Sequence, residues 1–289
     1  MADLRRLSMD SSEVNALTFR DDGAAVLAGI QEGYFTRIAF PSVTEPLATS
    51  DEVKRNRLFK TLNALRKNGE CLEAHHWIFT QLVKNFEKDR SSKWDSLDIR
   101  FVECEQALAR GELSEKESKE EREFAADSEA RFTATFGDAR PHFEEVFTAG
   151  TVRPATADEL RQHLDGVGGA FWNYASGLYQ RAAGHRPTED QVRAFVDDCP
   201  PFLALMLSLM HAQFEWSIRE KQITKRKRVG KIDLFCAGYL PYCDIFITND
   251  AEQRRCLREI AAAAKLSVEV YSHAQFRDRL MVGSFLKSA

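Results

Sequence analysis

The sequence predicts an α/β fold in which a central parallel sheet, covered by helices on both faces, is built from both chain ends around a helical insertion. Three observations lead there. Residues 1–90 alternate short apolar runs with stretches of helical apolar spacing. From 91 to 222 strand signals give way to charge-rich helical stretches. Over 223–289 the strand–helix alternation returns, with near-continuous apolar strands of the kind a doubly covered sheet needs. The three parts are accordingly 1–90, 91–222 and 223–289.

Taken in order, a first short strand ends at Asp10, and Ser11 and Ser12 are placed to cap a helix through Val14 and Leu17. Arg37-Ile38-Ala39-Phe40 reads as a buried strand stopped by Pro41. Asp51 to Lys67 carries Val53, Leu58, Leu62 and Leu65 at helical spacing and ends at Asn68-Gly69. His75-His76-Trp77 reads as a strand-to-helix junction with partly buried aromatics in preference to a metal or base-stacking site, because no acidic partner is near in sequence. In the insertion, helices are expected over Glu103 to Arg131 and Thr156 to Leu164, with Gly166-Val167-Gly168-Gly169 as a hinge or turn. Thr188 and Gln191 form a capping-box pattern before Val192, Phe195 and Val196. Pro200-Pro201 separates that helix from an apolar one through Leu203, Leu207 and Phe214. Phe171, Trp172, Tyr174 and Tyr179 recur near helical spacing and read as core in preference to a nucleotide platform. Beyond 228, Ile232 to Tyr239 suits a helix, Asp244 to Thr248 a buried strand, Ala251 to Lys265 a helix and Ser267 to Tyr271 a final strand.

Composition sets the broad class. Of 289 residues, 44% are hydrophobic and 29% charged, and twenty phenylalanines supply core material, which argues against general disorder. The net charge of −4 argues against broad nucleic-acid binding but permits a local basic surface. Six scattered cysteines contain no CxxC pair and read as reduced, buried thiols. The N-terminus lacks an apolar signal core, and the most apolar stretch, Pro201 to Met210, is too short to span a bilayer. A cytoplasmic chain with no membrane association is expected.

Asp10 and Asp250 fall at the carboxyl ends of predicted strands, where open parallel sheets bind ligands, and Glu45 and Asp233 come from flanking helices. Carboxylates packed together repel one another unless a cation neutralises them, and hard Mg²⁺ or Mn²⁺ prefers such oxygen ligands. No Walker loop, GxGxxG, GxSxG or HExxH pattern competes with this reading.

These motifs resemble those of the PIN-like family. MDSSEVNAL resembles its opening acidic motif, IAFPSVTEPL its second, and DLFCAGYLPYCDIFITND its paired third and fourth, in which 17 positions separate Asp233 from Asp250. VEVYSHAQFRDRL is similar to the closing strand and helix. The likeness covers roughly 1–90 and 223–289 and implies a three-layer α/β/α domain. It implies that Asp10, Glu45, Asp233 and Asp250 are the metal-binding and catalytic acids of a Mg²⁺- or Mn²⁺-dependent endonuclease, with RNA the expected substrate. Thr248 and Ser11 would offer hydroxyls to a carboxylate or a phosphate. Asp244 is either an additional ligand or a solvent-facing turn residue.

Between Arg219 and Lys231 lies a basic run of Arg219, Lys221, Lys225, Arg226, Lys227, Arg228 and Lys231, opposed only by Glu220. Its position before Asp233 suits contact with a phosphodiester backbone; a solvated helix end is the plainer alternative. The acidic stretch from Ser114 to Glu123 reads as a solvated helix face. Two other functions stay open: an inactive PIN-like module that binds or regulates, and a DNA-directed nuclease like the related flap-nuclease group. A protein partner held by the insertion, a homodimer, and a toxin-like or defence role are open too, although the insertion sets this chain apart from compact PIN toxins.

Overall fold

A computed structural model describes residues 4–110, a few isolated positions between 116 and 141, 156–166, 169–217 and 233–287, with the side chains of 215–217 and 282–287 excepted. Five short strands, β1 (Arg5–Met9), β2 (Tyr34–Ile38), β3 (Gly69–Cys71), β4 (Ile245–Ile247) and β5 (Glu269–Tyr271), form one sheet in the order β3-β2-β1-β4-β5. Every pairing is parallel; Leu7 lies opposite Ile245 and Met9 opposite Ile247, and Thr36 pairs with Gly69. The chain steps outward from β1 to β2 to β3, returns to β4 beside β1, and ends at β5. The winding therefore reverses between β1 and β4, and right-handed crossovers must then put helices on both faces.

Side-chain burial follows that rule. Ile245 and Ile247 enter one apolar core and Phe246, between them, enters the other. On the first face lie α1 (Ser11–Phe19), α2 (Gly23–Gly33), α3 (Phe40–Leu47) and α4 (Glu52–Arg66), with Val14, Ile30, Val43 and Leu62 packed against Leu7, Met9 and Ile38. α5 (His75–Lys88) crosses to the second face, whereas α6 (Val102–Arg110) returns Cys104 and Leu108 to the first. The second face is then completed by α7 (Ala157–Gly166), α8 (Ala170–Ala183), α9 (Glu189–Asp198), α10 (Pro200–Ser217), a 3-10 helix (Asp233–Tyr242) and α11 (Ala251–Ala263). α12 (His273–Lys287) packs Phe276 into the first. The described helices between 157 and 217 thus share one core with the sheet: Phe171, Tyr179, Phe195 and Phe202 join Phe246 and Val270.

Local chemistry explains most boundaries. Asp51 caps α4, and Thr188 with Gln191 forms the expected capping box of α9. Asp10, not Ser11 or Ser12, caps α1; its carboxylate accepts from Glu13 N while Ser12 donates to it. Pro41 does not merely stop a strand. It lies in the first turn of α3, where its missing N–H costs no helical bond. The expected helix after 232 is a 3-10 helix, Asp233–Tyr242, long for its kind. β3 answers to the strand expected before the junction at His75, for which the sequence set no bounds. Of the expected helix over Glu103 to Arg131, residues through Arg110 are helical and the continuous remainder lies outside the described residues. All six cysteines are buried and none forms a disulfide, and among the described residues no helix is long and apolar enough to cross a membrane.

Candidate active site

The winding reverses between β1 and β4, and the crevice that such a reversal leaves at the carboxyl edge of a parallel sheet is where folds of this kind bind ligands. Asp10 N donates to Ile247 O at 3.1 Å, so the residues following β1 and β4 emerge side by side. Asp10 is only 6% exposed. Ser12 Oγ lies 2.7 and 2.9 Å from its two carboxylate oxygens, and Thr248 Oγ1 lies 2.8 Å from Oδ2. Burial pushes the Asp10 carboxyl up to about 7, against the Ser12, Thr248 and Glu13 N hydrogen bonds, and the charge of Asp233 adds to the rise.

Thr248 has one hydroxyl proton and two acceptors beside it, because Gln253 Oε1 is 2.5 Å from the same oxygen. The Gln253 amide is oriented by its Nε2, which donates to Asp233 O at 2.8 Å. A proton on Asp10 satisfies all three groups, in keeping with its raised pKa. Gln253 thereby ties the start of the 3-10 helix to the end of β4.

Glu45, on the exposed side of α3, accepts a hydrogen bond from Ser11 Oγ. Its pKa is raised, first by crowding of its carboxyl against the protein and then by the charge of Asp233, with Ser11 opposing. Ser42 Oγ, on the same helix, donates to Met9 O at 2.5 Å and holds α3 against the end of β1. Cys236 lies within reach of the same field: burial and then the charges of Asp10, Asp233 and Glu45 push its thiol well above the usual range. Asp233 is thus close enough to Asp10 and to Glu45 to act on the ionisation of both, although the three come from separate elements.

Asp250 lies at the same edge, but its carboxylate caps α11, accepting from Glu252 N at 2.8 Å and Gln253 N at 2.9 Å. Asp244 does not join the other acids. It precedes β4 at the opposite edge of the sheet, where Arg6 N and the Arg6 guanidinium bond it at 2.7 and 2.9 Å. Burial there raises its pKa, but these bonds prevail and hold it below the ordinary value. Lys225, Arg226, Lys227, Arg228 and Lys231 all lie outside the described residues.

Sequence reasoning missed a second tier beneath these groups. Asn249 N donates to Ser12 Oγ at 2.9 Å and its Nδ2 to Glu13 Oε2 at 2.8 Å. Buried His273 lies 2.7 Å from Glu13 Oε1 and 3.1 Å from Asp22 Oδ1, and Arg277 holds Asp22 at 3.0 Å from the far side. Carboxylates against both ring nitrogens require two N–H donors, so His273 is an imidazolium. The Glu13 hydrogen bond lifts its pKa above 6.5 against desolvation, with further lift from the charges of Glu13 and Asp22. The only sequence signal was position: Asn249 and His273 follow β4 and β5 as Asp10 follows β1.

A histidine whose pKa rises on folding stabilises fully below its ordinary pKa of 6.5, and that contribution is lost as the pH climbs through the folded value. His273→Ala is therefore expected to cost about 3 kcal/mol at pH 6, by leaving Glu13 buried without its partner, and less at pH 9. Urea midpoints at the two pH values check this; an equal loss at both would exclude the charged pair.

Among the described residues no group of three or more His, Cys, Asp or Glu side chains is gathered tightly enough to hold a metal ion as it stands. The donor chemistry nevertheless suits a hard divalent cation. The groups are carboxylate and hydroxyl oxygens, and two of the carboxyls, Asp10 and Glu45, are held above their ordinary pKa by burial and a neighbouring negative charge. Comparison with protein-family models, curated proteins and solved structures gives no match to the chain.

Proposed function

We propose that this chain is a PIN-like, divalent-cation-dependent nuclease, with RNA as the expected substrate. The observation that carries the reading is the convergence of Asp10, Glu45 and Asp233 on the crevice between β1 and β4, with the charge of Asp233 raising the pKa of both others. Such crowding is unfavourable without a counter-charge and favourable around one. Asp10, Glu45 and Asp233 would hold Mg²⁺ or Mn²⁺, and Asp250 would contribute from the α11 cap. The bound cation would polarise the phosphodiester and activate water for in-line attack.

The chain's own groups would do the positioning. Ser12 and Thr248 fix the Asp10 carboxylate, Ser11 orients Glu45, and Gln253 locks the backbone of Asp233 to the end of β4. Asn249 and the Glu13–His273 pair keep the β4–α11 turn in register with α1.

The test is cleavage of short single-stranded RNA and DNA with Mn²⁺ or Mg²⁺ and with a chelator. RNA cleavage that needs the divalent cation is expected, with DNA cut more slowly. A folded protein that cuts neither, or cuts equally well in chelator, would overturn the proposal. One observation favours a second reading, a PIN-like binding module: both backbone bonds to the Asp250 carboxylate serve the α11 cap. A module of that kind would bind RNA but gain no thermal stability from millimolar Mn²⁺.

A further inference from the structure

The 3-10 helix that delivers Asp233 has a second side. With three residues per turn, Asp233, Cys236 and Tyr239 share one face, and Phe235, Gly238 and Pro241 another. The first begins at Asp233, whose carbonyl accepts from Gln253 Nε2 at 2.8 Å, while the same amide's oxygen lies 2.5 Å from Thr248 Oγ1 beside Asp10. The second backs onto a cavity of about 360 Å³ between α5, α8 and α10, lined by His75, Phe79, Tyr174, Arg181, Phe202 and Phe235 among others. Gly238 packs behind this wall, since a Cβ there would meet the ring of the lining residue Phe79 at 3.4 Å. One helix, a single turn wide between these faces, therefore separates the cavity from the acid crevice.

Resting on the nuclease reading above, we propose that this cavity receives a nucleobase of the single-stranded substrate while a neighbouring phosphate lies at the acids. Its chemistry selects for that ligand. The walls are aromatic: the His75 imidazole stacks on Phe235 at 4.7 Å and 21°, and Phe79 and Phe202 meet edge to face at 5.8 Å. Bases of single-stranded RNA are held by such aromatic surfaces. His75 Nδ1 is shielded from water and has no hydrogen-bond partner among the described residues. A purely apolar ligand would leave that nitrogen unsatisfied, whereas a base edge carries donors and acceptors to meet it. Burial, and then neighbouring His76, push the imidazole down to about 4, so the ring is neutral and suits an uncharged base. Arg181, exposed at the rim beside Tyr174, is placed for the phosphate that follows.

Two variants test the assignment on the full chain. Ala182→Trp, at a partly buried lining position, fills the cavity from its wall; His75→Phe keeps the ring and removes the nitrogens. The probe is a fluorescently labelled single-stranded RNA of one base type, run for each of the four bases in chelator so that no cleavage intervenes. Ala182→Trp is expected to weaken binding about tenfold, the loss of one stacked base. His75→Phe is expected to bind with less discrimination among the four RNAs. Thermal melts establish that each variant is folded, and either one suffices if the other is not. Wild-type affinity and discrimination in a folded variant would overturn the base site, as would a wild type that binds none of the RNAs. Binding that the variants weaken, without divalent-dependent cleavage by the wild type, would sustain the base site while the nuclease reading fell. Cleavage with wild-type KM in the folded Ala182→Trp variant would do the reverse.

Discussion

Asp10→Asn is expected to make the protein more stable at pH 8 without divalent cation, while abolishing stabilisation by Mn²⁺ and lowering cleavage by about 100-fold or more. The carboxyl of Asp10 titrates near 7 in the fold against an ordinary 3.8, so its ionisation opposes folding. That penalty is absent below 3.8, grows as the pH rises to 7, and is constant above it. A shift of this size corresponds to at most about 4 kcal/mol. Asparagine keeps the oxygen that accepts from Glu13 N and gives up the second acceptor, beside Ser12 and Thr248, which returns roughly 2 kcal/mol. A net gain of about 1–2 kcal/mol is expected at pH 8, falling to nothing between about pH 5 and 6 and turning into a loss below that. Helix α1 stays capped, since Asn is as good an N-cap as Asp. The wild type should gain about 2.7 kcal/mol from Mn²⁺ at a hundred times its Kd, and the variant close to none. Urea midpoints with and without Mn²⁺ read both effects. A variant less stable than wild type at pH 8, and equally responsive to Mn²⁺, would remove the acid crevice from consideration as a cation site.

Gly69→Ala is expected to be among the most damaging single-methyl additions in the fold. A Cβ at Gly69 would stand 2.0 Å from Thr36 O and 2.8 Å from Thr36 C and Cβ, distances no packing tolerates. Neither strand can yield easily. Thr36 is buried between β1 and β3, and Thr36 N donates to Asn68 O at 2.9 Å. Asn68 Nδ2 is in turn fastened to Gln31 O at 3.0 Å and Tyr34 O at 2.6 Å. The expected loss is about 3 kcal/mol, or roughly 5–10 °C in Tm for a chain of this size. β3 is separated from β4 by β2 and β1, so the folded fraction should keep its response to divalent cation. A melting temperature within about 1 °C of wild type would show that β3 is free to shift away from β2.

The legible parts of this protein are those where a few neighbouring residues settle the matter. An apolar run and the small polar residues after it placed the β1–α1 junction to within a residue, with Ser11 or Ser12 in place of Asp10 as the cap, and strand–helix alternation likewise placed Asp250 before α11. The Thr188 capping box was readable because both partners lie within four positions. The bounds of β3 were not, for three residues are too few to show a period, and Asn68-Gly69 is more often a helix stop than a strand entry. Asp244 and Asp250 looked alike because both flank β4. Which end of a strand faces the crevice is a property of the sheet, and Arg6 decides the case for Asp244.

What the sequence determined by itself is the α/β class, the helical stretches of the middle region and the identity of the acids at the strand ends, all products of local period and local capping. Only the tertiary structure decided which acids meet. Parallel pairing of β1 with β4 brings residues about 240 positions apart into contact, as Thr248 with Asp10 shows. It also decided that the helices of 157–217 complete the second face, and that Glu13 and His273, 260 positions apart, share a buried charge. Burial and long-range electrostatics have no local signature, because the same carboxylate is ordinary in water and strongly perturbed where folding takes the water away.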